Sequence, residues 1–283
     1  MNINSKTSIY GIIGHPIGHS LSPLIHNYAF ENLDFNSVYV SFDVNEEDLK
    51  DAIIGIKALG IKGLNVTVPH KESVIKYLDR ISDEAKLIGA VNTIKNNSGS
   101  LEGYNTDVTG FMESLKEHNA DVVGKNAVIL GAGGAAKAVA VGLALLGAKS
   151  IYVCNRSIDK AKELSIHMEN NFNIKSLGIS YNDLNMLDEI DILINATSVG
   201  MHPNVDVSPI GEDVVAKAKF VYDIIYNPEK TLFLSYAEKY RIKYINGLDM
   251  LINQAIDSFK IWTGANFDKK IILNFLKKKD FVK

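Results

Sequence analysis

Short apolar, β-branched runs alternate with stretches of helical spacing from the start of the chain. Ile9 to Ile13, Val38 to Val44 and Gly63 to Val68 read as strands. Between the first two, Ser22 followed by Pro23 marks a helix start: the serine can cap free amides, and the proline fits the first turn without losing a needed donor. That helix runs towards Leu33. A second spans Glu46 to Ala58, where Glu46, Glu47 and Asp48 suit the positive end of the dipole and Gly60 suits the stop. The second half repeats the alternation, with strands at Ala127 to Leu130, Ile151 to Asn155, Asp191 to Asn195, Phe220 to Ile225 and Lys243 to Ile245. The pattern predicts an α/β chain of two domains, divided near Tyr104 where the motif type changes. A helix starting near Asp107 then carries the chain across, leaving a cleft between the halves.

The sharper signature lies in the second half. Val128-Ile-Leu-Gly-Ala-Gly-Gly-Ala-Ala136 follows a strand directly and opens a small-residue helix, placing Gly131, Gly133 and Ala136 in the spacing G-x-G-x-x-G/A. In that context Gly131, Ala132, Gly133, Gly134 and Ala135 form a candidate pyrophosphate cradle. Gly131 permits the tight turn, Gly133 lets backbone amides approach the anion, and Ala136 lets helix and sheet pack closely. The plain alternative is a glycine turn between any strand and helix. Nineteen positions after Ala136, where an NAD enzyme carries an acidic residue for the ribose hydroxyl, the chain reads Asn155-Arg156-Ser157. An aspartate would repel a 2′-phosphate, whereas a guanidinium pairs with it, so NADP(H) is the expected cofactor of a Rossmann-type, doubly wound domain. Lys160, one turn into the next helix, either adds charge there or is an ordinary exposed lysine.

Composition narrows the partners. Among 283 residues, 46% are hydrophobic, ample for real cores, and 30 basic against 33 acidic residues give a net charge of −3, so no overall basic field points to nucleic acid. Lys277 to Lys279 read as the solvated finish of a helix. The single cysteine, Cys154, has no internal partner, and the seven histidines show no metal-ligand spacing, so no metal is expected and a reducing cytoplasm fits. His19 and His70 read as packing or hydrogen-bonding residues. Residues 1–7 are polar and no apolar run of about 18 residues follows, so neither a signal peptide nor a membrane span is expected.

Four polar segments stand against the apolar strands of the first half: His19-Ser-Leu-Ser-Pro23, Asn65-Val-Thr-Val-Pro-His-Lys71, Gly89-Ala-Val-Asn-Thr93 and Gly103-Tyr-Asn-Thr-Asp107. Each has a bland explanation, Ser22 and Asp107 as helix caps, Asn65 and Thr67 as strand-end hydrogen bonders. Together with the glycine turn, Asn195-Ala-Thr-Ser-Val-Gly-Met201, Tyr222-Asp-Ile-Ile-Tyr-Asn-Pro228 and Asn246-Gly-Leu-Asp-Met-Leu251, in this order, they resemble the shikimate dehydrogenase family from about residue 8 to residue 264.

The resemblance implies a substrate-binding domain at 1–104, completed by C-terminal helices at 249–283, and an NADP-binding domain at 105–248. It implies NADPH-dependent interconversion of 3-dehydroshikimate and shikimate by a monomer or homodimer. Ser20 and Ser22 match the pair that binds the substrate carboxylate, with Tyr226 nearby. Thr67, Asn92, Asp107 and Gln254 match positions that hold the ring hydroxyls, and Asn65 supports them. Lys71 and Asp107 match the catalytic pair: the lysine meets charge growing on the carbonyl oxygen, and the aspartate orients the lysine and binds a neighbouring hydroxyl. Carried across for the cofactor are Ile224 and Gly247 near the nicotinamide, Thr197, Ser198 and Met201 beside it, and Asp83 from the first half. A quinate/shikimate dehydrogenase using NAD or NADP is the near alternative. A noncatalytic metabolite-binding protein on the same fold is the distant one.

Overall fold

The structure is a computed structural model that describes residues 3–279. The chain divides into two units: one holds the residues up to Thr106 together with those from Ile252 onward, and the other is Asp107–Leu251.

The first unit begins with β1 (Ser8–Gly14), α1 (Ser22–Asn32), β2 (Ser37–Asp43), α2 (Leu49–Ala58) and β3 (Gly63–Val66). A 3-10 turn (Ser73–Tyr77), β4 (Arg80–Ile81), α3 (Asp83–Ile88), β5 (Thr93–Asn97) and β6 (Ser100–Tyr104) follow. The sheet runs β2-β1-β3-β5-β6-β4, with β1 parallel to β2 and β3, and β5 antiparallel to both β3 and β6. One core forms from Leu49, Ile53 and Ile56 of α2 against Ile13, Leu64, Val66, Ile94 and Leu101.

A capping role and some element ends differ from expectation, β3 stopping at Val66 rather than Val68. Ser22 does not cap α1. Leu21 holds the cap position, because its carbonyl already takes the Ile25 amide, and the Ser22 amide is bonded by Ser20 Oγ at 3.2 Å. Helix α2 starts at Leu49 rather than Glu46, since the Asp48 amide turns back onto the Asn45 carbonyl. The β5–β6 hairpin, whose Ser98 and Gly99 both have positive φ, was not part of the sequence pattern.

The second unit is regular: α4 (Asp107–Glu117), β7 (Asn126–Leu130), α5 (Gly134–Leu145), β8 (Ser150–Cys154), α6 (Ile158–Phe172), β9 (Lys175–Ile179), α7 (Tyr181–Asn185), β10 (Ile190–Asn195), α8 (Glu212–Val215), β11 (Ala218–Asp223), α9 (Leu232–Lys239) and β12 (Lys243–Ile245). All six strands are parallel in the order β12-β11-β10-β7-β8-β9. The chain thus winds outward from β7 in both directions, and β7 and β10 flank the point where the order reverses, the place where doubly wound sheets open a crevice for ligands. Helix α10 (Leu248–Thr263) begins in this unit and ends in the first, followed by α11 (Lys269–Lys278), which carries Lys277 and Lys278 in its last turn. Among the described residues no helix is long and apolar enough to cross a membrane, and no group of three or more His, Cys, Asp or Glu could hold a metal ion.

Candidate functional site

In the first unit a run of uncharged polar side chains is buried at the end of β3 and the start of β5. Asn65 is 5% exposed and Asn92 is 2% exposed. The Asn65 amide group donates to the Asn92 carbonyl and Thr93 Oγ1, both at 3.2 Å, and to Ser258 Oγ at 3.0 Å; its oxygen accepts from the Tyr39 hydroxyl at 2.7 Å. Asn65 is therefore held by the protein on both sides, which suits support rather than direct reading of a ligand. The Asn92 oxygen accepts from the Thr106 amide at 2.8 Å, and its Nδ2 donates to Thr106 Oγ1 at 2.9 Å and reaches Gln254 Oε1 at 3.5 Å. Tyr39, Thr93, Thr106 and Ser258 belong to this network and were missed from sequence. Thr93 and Thr106 lay inside quoted motifs, and Ser258 stands one helical turn after Gln254, the spacing that puts both on one face of α10.

Lys71 is tied to the same place through its backbone. After β3 the chain turns through a cis Val68–Pro69 peptide, the His70 amide bonds the Thr67 carbonyl at 2.9 Å, and the Lys71 carbonyl accepts from the Val91 amide at 2.8 Å, one residue from Asn92. His70 is fully buried and its Nε2 donates to the Val44 carbonyl at 2.7 Å, so it anchors this turn. Thr67 and Lys71 are half-buried, as is Ser20, while Ser22 is buried one turn before His26. Asp83 stands apart: its side chain is 99% exposed and paired with Lys86 at 3.0 Å.

In the second unit the predicted cofactor residues gather at the carboxyl ends of β7, β8, β10 and β11. Gly131, directly after β7, has φ +112, and a Cβ there would press on the Ala196 carbonyl and Thr197, both at 3.1 Å. Only glycine fits. Gly133, at the N-cap of α5, faces open space where a Cβ would stand, and no side chain caps that helix. A twelve-residue helix whose N-terminus no side chain caps, at a switch point, fits a pyrophosphate, and Gly134 and Ala135 supply its first amides beside Ala132. The register Leu130↔Cys154↔Ile179 sets Asn155, Arg156 and Ser157 level with that turn, where Arg156 and Lys160 are exposed and the three residues after β8 include no carboxylate. The same register brings in Tyr181, unforeseen from sequence: burial raises its hydroxyl, and Arg156 acts against that rise. Cys154 is buried and its thiol is pushed up to about 12, chiefly by burial, which leaves it unreactive.

After β10 come Thr197, Ser198 and Met201; after β11 come Ile224 and Tyr226; Gly247 precedes α10. These segments are bonded together, the Ile224 amide to the Asn195 carbonyl at 3.0 Å and the Gly247 amide to the Ile225 carbonyl at 3.0 Å. A Cβ at Gly247 would overlap the Ile224 carbonyl. Strand β11 ends at Asp223, two residues short of expectation, because the Asp223 carboxylate takes the Ile225 amide out of the ladder at 3.0 Å. Asp107 is 5% exposed as the first residue of α4.

Known families match in three consecutive stretches. Residues 12–94 match the shikimate dehydrogenase substrate binding domain, 113–224 match shikimate / quinate 5-dehydrogenase, and 247–274 match the shikimate 5'-dehydrogenase C-terminal domain. A shikimate dehydrogenase (NADP(+)) of Caldanaerobacter subterraneus subsp. tengcongensis is 57% identical over 96% of this chain and 97% of its own length. A crystal structure of a shikimate dehydrogenase in complex with NADP+ superposes with TM-score 0.90 at 45% identity, covering 100% of this chain and 98% of that one. The shikimate 5-dehydrogenase of Thermus thermophilus, solved with NADP(H) and shikimate, gives TM-score 0.84 at 33% identity over 96% and 99% of the two chains. On these matches, and with the glycine turn and the buried amide network in place, the chain belongs to the shikimate dehydrogenase family.

Proposed function

We propose that this chain catalyses the reversible NADPH-dependent reduction of 3-dehydroshikimate to shikimate, the shikimate-pathway step on the way to chorismate and the aromatic amino acids. The observation that carries the substrate side is the buried, uncharged network of Asn65, Asn92, Thr106 and Gln254 with Lys71 pinned beside it through Val91. Amides and hydroxyls both donate and accept, which is what a polyol ring needs to be read by its hydroxyl pattern.

The nicotinamide cofactor supplies the hydride when bound. Everything else is the chain's own work. Ser20 and Ser22 hold the substrate carboxylate with Tyr226. Ser22 is relieved of capping, so its hydroxyl is not spent on the helix backbone. Thr67, Asn92, Asp107 and Gln254 take the ring hydroxyls, and Asn65 braces Asn92. Lys71 stabilises negative charge growing on the C3 oxygen and delivers the proton there; in the reverse direction its amine accepts the alcohol's proton. Asp107, opening α4, is the second member of the reacting pair. On the cofactor side, Gly131 to Ala135 cradle the pyrophosphate, Asn155, Arg156, Ser157 and Lys160 select the 2′-phosphate, and Thr197, Ser198, Met201, Ile224 and Gly247 border the nicotinamide. Asp83, exposed and paired with Lys86, is left out of this set.

Loss of NADPH absorbance on adding 3-dehydroshikimate tests the reading. Turnover should need both compounds, and NADPH should be preferred over NADH. Absence of turnover would overturn the reaction, and an NADH preference of about tenfold, roughly 1.4 kcal/mol, would overturn the cofactor.

A further inference from the structure

Asp223 is a costly side chain to bury in the second unit. It is fully buried at the end of β11, and among the described residues no cation bonds its carboxylate. Burial pushes the carboxyl up to about 7, against three hydrogen bonds that favour the charged form. All three partners are donors. Oδ1 accepts from Asn195 Nδ2 and from the Ile225 amide, both at 3.0 Å, and Oδ2 accepts from Thr231 Oγ1 at 2.6 Å. The threonine cannot reverse its role cheaply, because its oxygen already accepts the Leu234 amide at 3.2 Å as the N-cap of α9. Only an acceptor-only group satisfies all three; an asparagine would turn its own N–H bonds towards one of them.

Two of the partners, Asn195 and Ile225, lead to segments beside the glycine turn. Asn195, once its Nδ2 is committed to Asp223, presents its oxygen to the Thr197 amide at 3.0 Å and to Thr197 Oγ1 at 2.7 Å, and Thr197 Oγ1 in turn accepts from the Val199 amide at 3.1 Å. The Ile225 amide fixes the stretch 224–226, whose Ile225 carbonyl holds the Gly247 amide. One carboxylate therefore sets the backbone of 195–199, of 224–226 and, through Ile225, of Gly247. Burying a carboxyl is costly, and committing all its bonds to the side chains and amides that fix these loops fits a demand for exact backbone placement.

We propose that Asp223 is a positioning residue for the nicotinamide half of the dinucleotide, acting through Asn195 and Ile225 rather than by touching the ligand. This rests on the dehydrogenase reading above. Calorimetric titration of wild type and Asp223→Asn with NADP+ and with adenosine 2′,5′-bisphosphate, which lacks the nicotinamide half, separates the two. Wild type should bind both; failure to bind either would sink the cofactor reading itself. The variant should lose about tenfold or more for NADP+ while holding adenosine 2′,5′-bisphosphate within about twofold. In turnover the KM for NADP+ should rise by a similar factor, with the shikimate KM unchanged. Equal losses for both ligands, or none, would overturn the proposal. Should Asp223→Asn not fold, Asn195→Ser cuts the same relay while leaving the carboxylate two donors and must show the same difference. A failure of both to fold would make the group structural and overturn it too.

Discussion

The two units solve the burial of polar groups in opposite ways. In the first, amides and hydroxyls meet one another: Asn65, Asn92, Thr93, Thr106, Gln254 and Ser258 each have donors and acceptors, and the contacts to Gln254 stretch to 3.5 Å. In the second, the Asp223 carboxylate is surrounded by donors alone. A mixed network can re-pair when a ligand's hydroxyls arrive, whereas an all-donor shell has a single arrangement. The first arrangement suits reading a molecule by its hydroxyls, as proposed above, and the second suits holding backbone still.

Replacing Lys71 by alanine should break the symmetry of that comparison most. The first unit's variant should lose kcat by about a hundredfold or more, roughly 2.7 kcal/mol, with NADP+ affinity in titration unaltered. Full activity would remove Lys71 from the chemistry.

Packing comes next. A Cβ at Gly178 of β9 would meet the α6 backbone, Lys162 N at 2.5 Å and Ala161 C at 2.7 Å, while one at Gly63 of β3 would strike the Trp262 ring. Both Gly→Ala changes should lower stability by about 1–3 kcal/mol in urea unfolding. Gly178→Ala should be the worse, because backbone cannot rotate aside as a ring can. The reverse order would show that the second sheet tolerates more than its geometry suggests.

Arg156→Ser addresses specificity in the second unit alone. The ratio of kcat/KM for NADP+ over NAD+ should fall about tenfold, roughly 1.4 kcal/mol, with the shikimate KM steady. An unchanged ratio would move the 2′-phosphate contact elsewhere.

Acid should separate the units more gently. His26 is fully buried against Tyr39, Trp262 and Phe267, with neither ring nitrogen bonded among the described residues, and burial pushes it down to about 3. Since its unfolded value lies near 6.5, the unfolded chain binds the extra proton, and the first unit loses stability as pH falls from about 6.5 towards 3. Asp223 runs the other way. Its folded carboxyl, up at about 7, binds a proton before the unfolded one near 3.8 does, so the second unit gains stability as pH falls through that window. Urea midpoints at pH 7 and pH 5 should fall less in His26→Phe than in wild type; an equal fall would mean that another group governs the acid response.

The second unit was the more legible from sequence because parallel strands buried on both faces leave apolar runs such as Ile190-Asp-Ile-Leu-Ile-Asn195, and because a glycine turn between strand and helix has few other uses. Its edge strand β9 escaped notice, being five residues with Leu177 exposed. In the first unit, β5 and β6 carry apolar residues mainly at Ile94 and Leu101, too few to show a period of two. Ser22 looked like a cap because the serine-proline pair was read alone, without the Leu21 carbonyl that already held Ile25. The polar network was half visible. Asn65, Asn92 and Gln254 stood in motifs, but nothing local announces that the Tyr39 hydroxyl of an apolar strand meets Asn65, or that Ser258 returns to Thr93 across 165 positions.

Helix α10 gives the chain an unusual order of assembly. Phe259 packs on Phe30 with ring centroids 5.0 Å apart, the Trp262 indole bonds the Ile94 carbonyl at 2.9 Å, and Ser258 joins the polar network, so residues synthesised first wait for partners 165 or more positions later. At ribosomal rates of about 5–20 residues per second that delay is on the order of ten seconds. The stretch from Asp107 is contiguous and should close while the earlier one is still open. Nascent chains arrested after Gly247 should accordingly resist protease over β7 to β12 and be cut within the first hundred residues; protection of both would mean that the opening segment folds unaided.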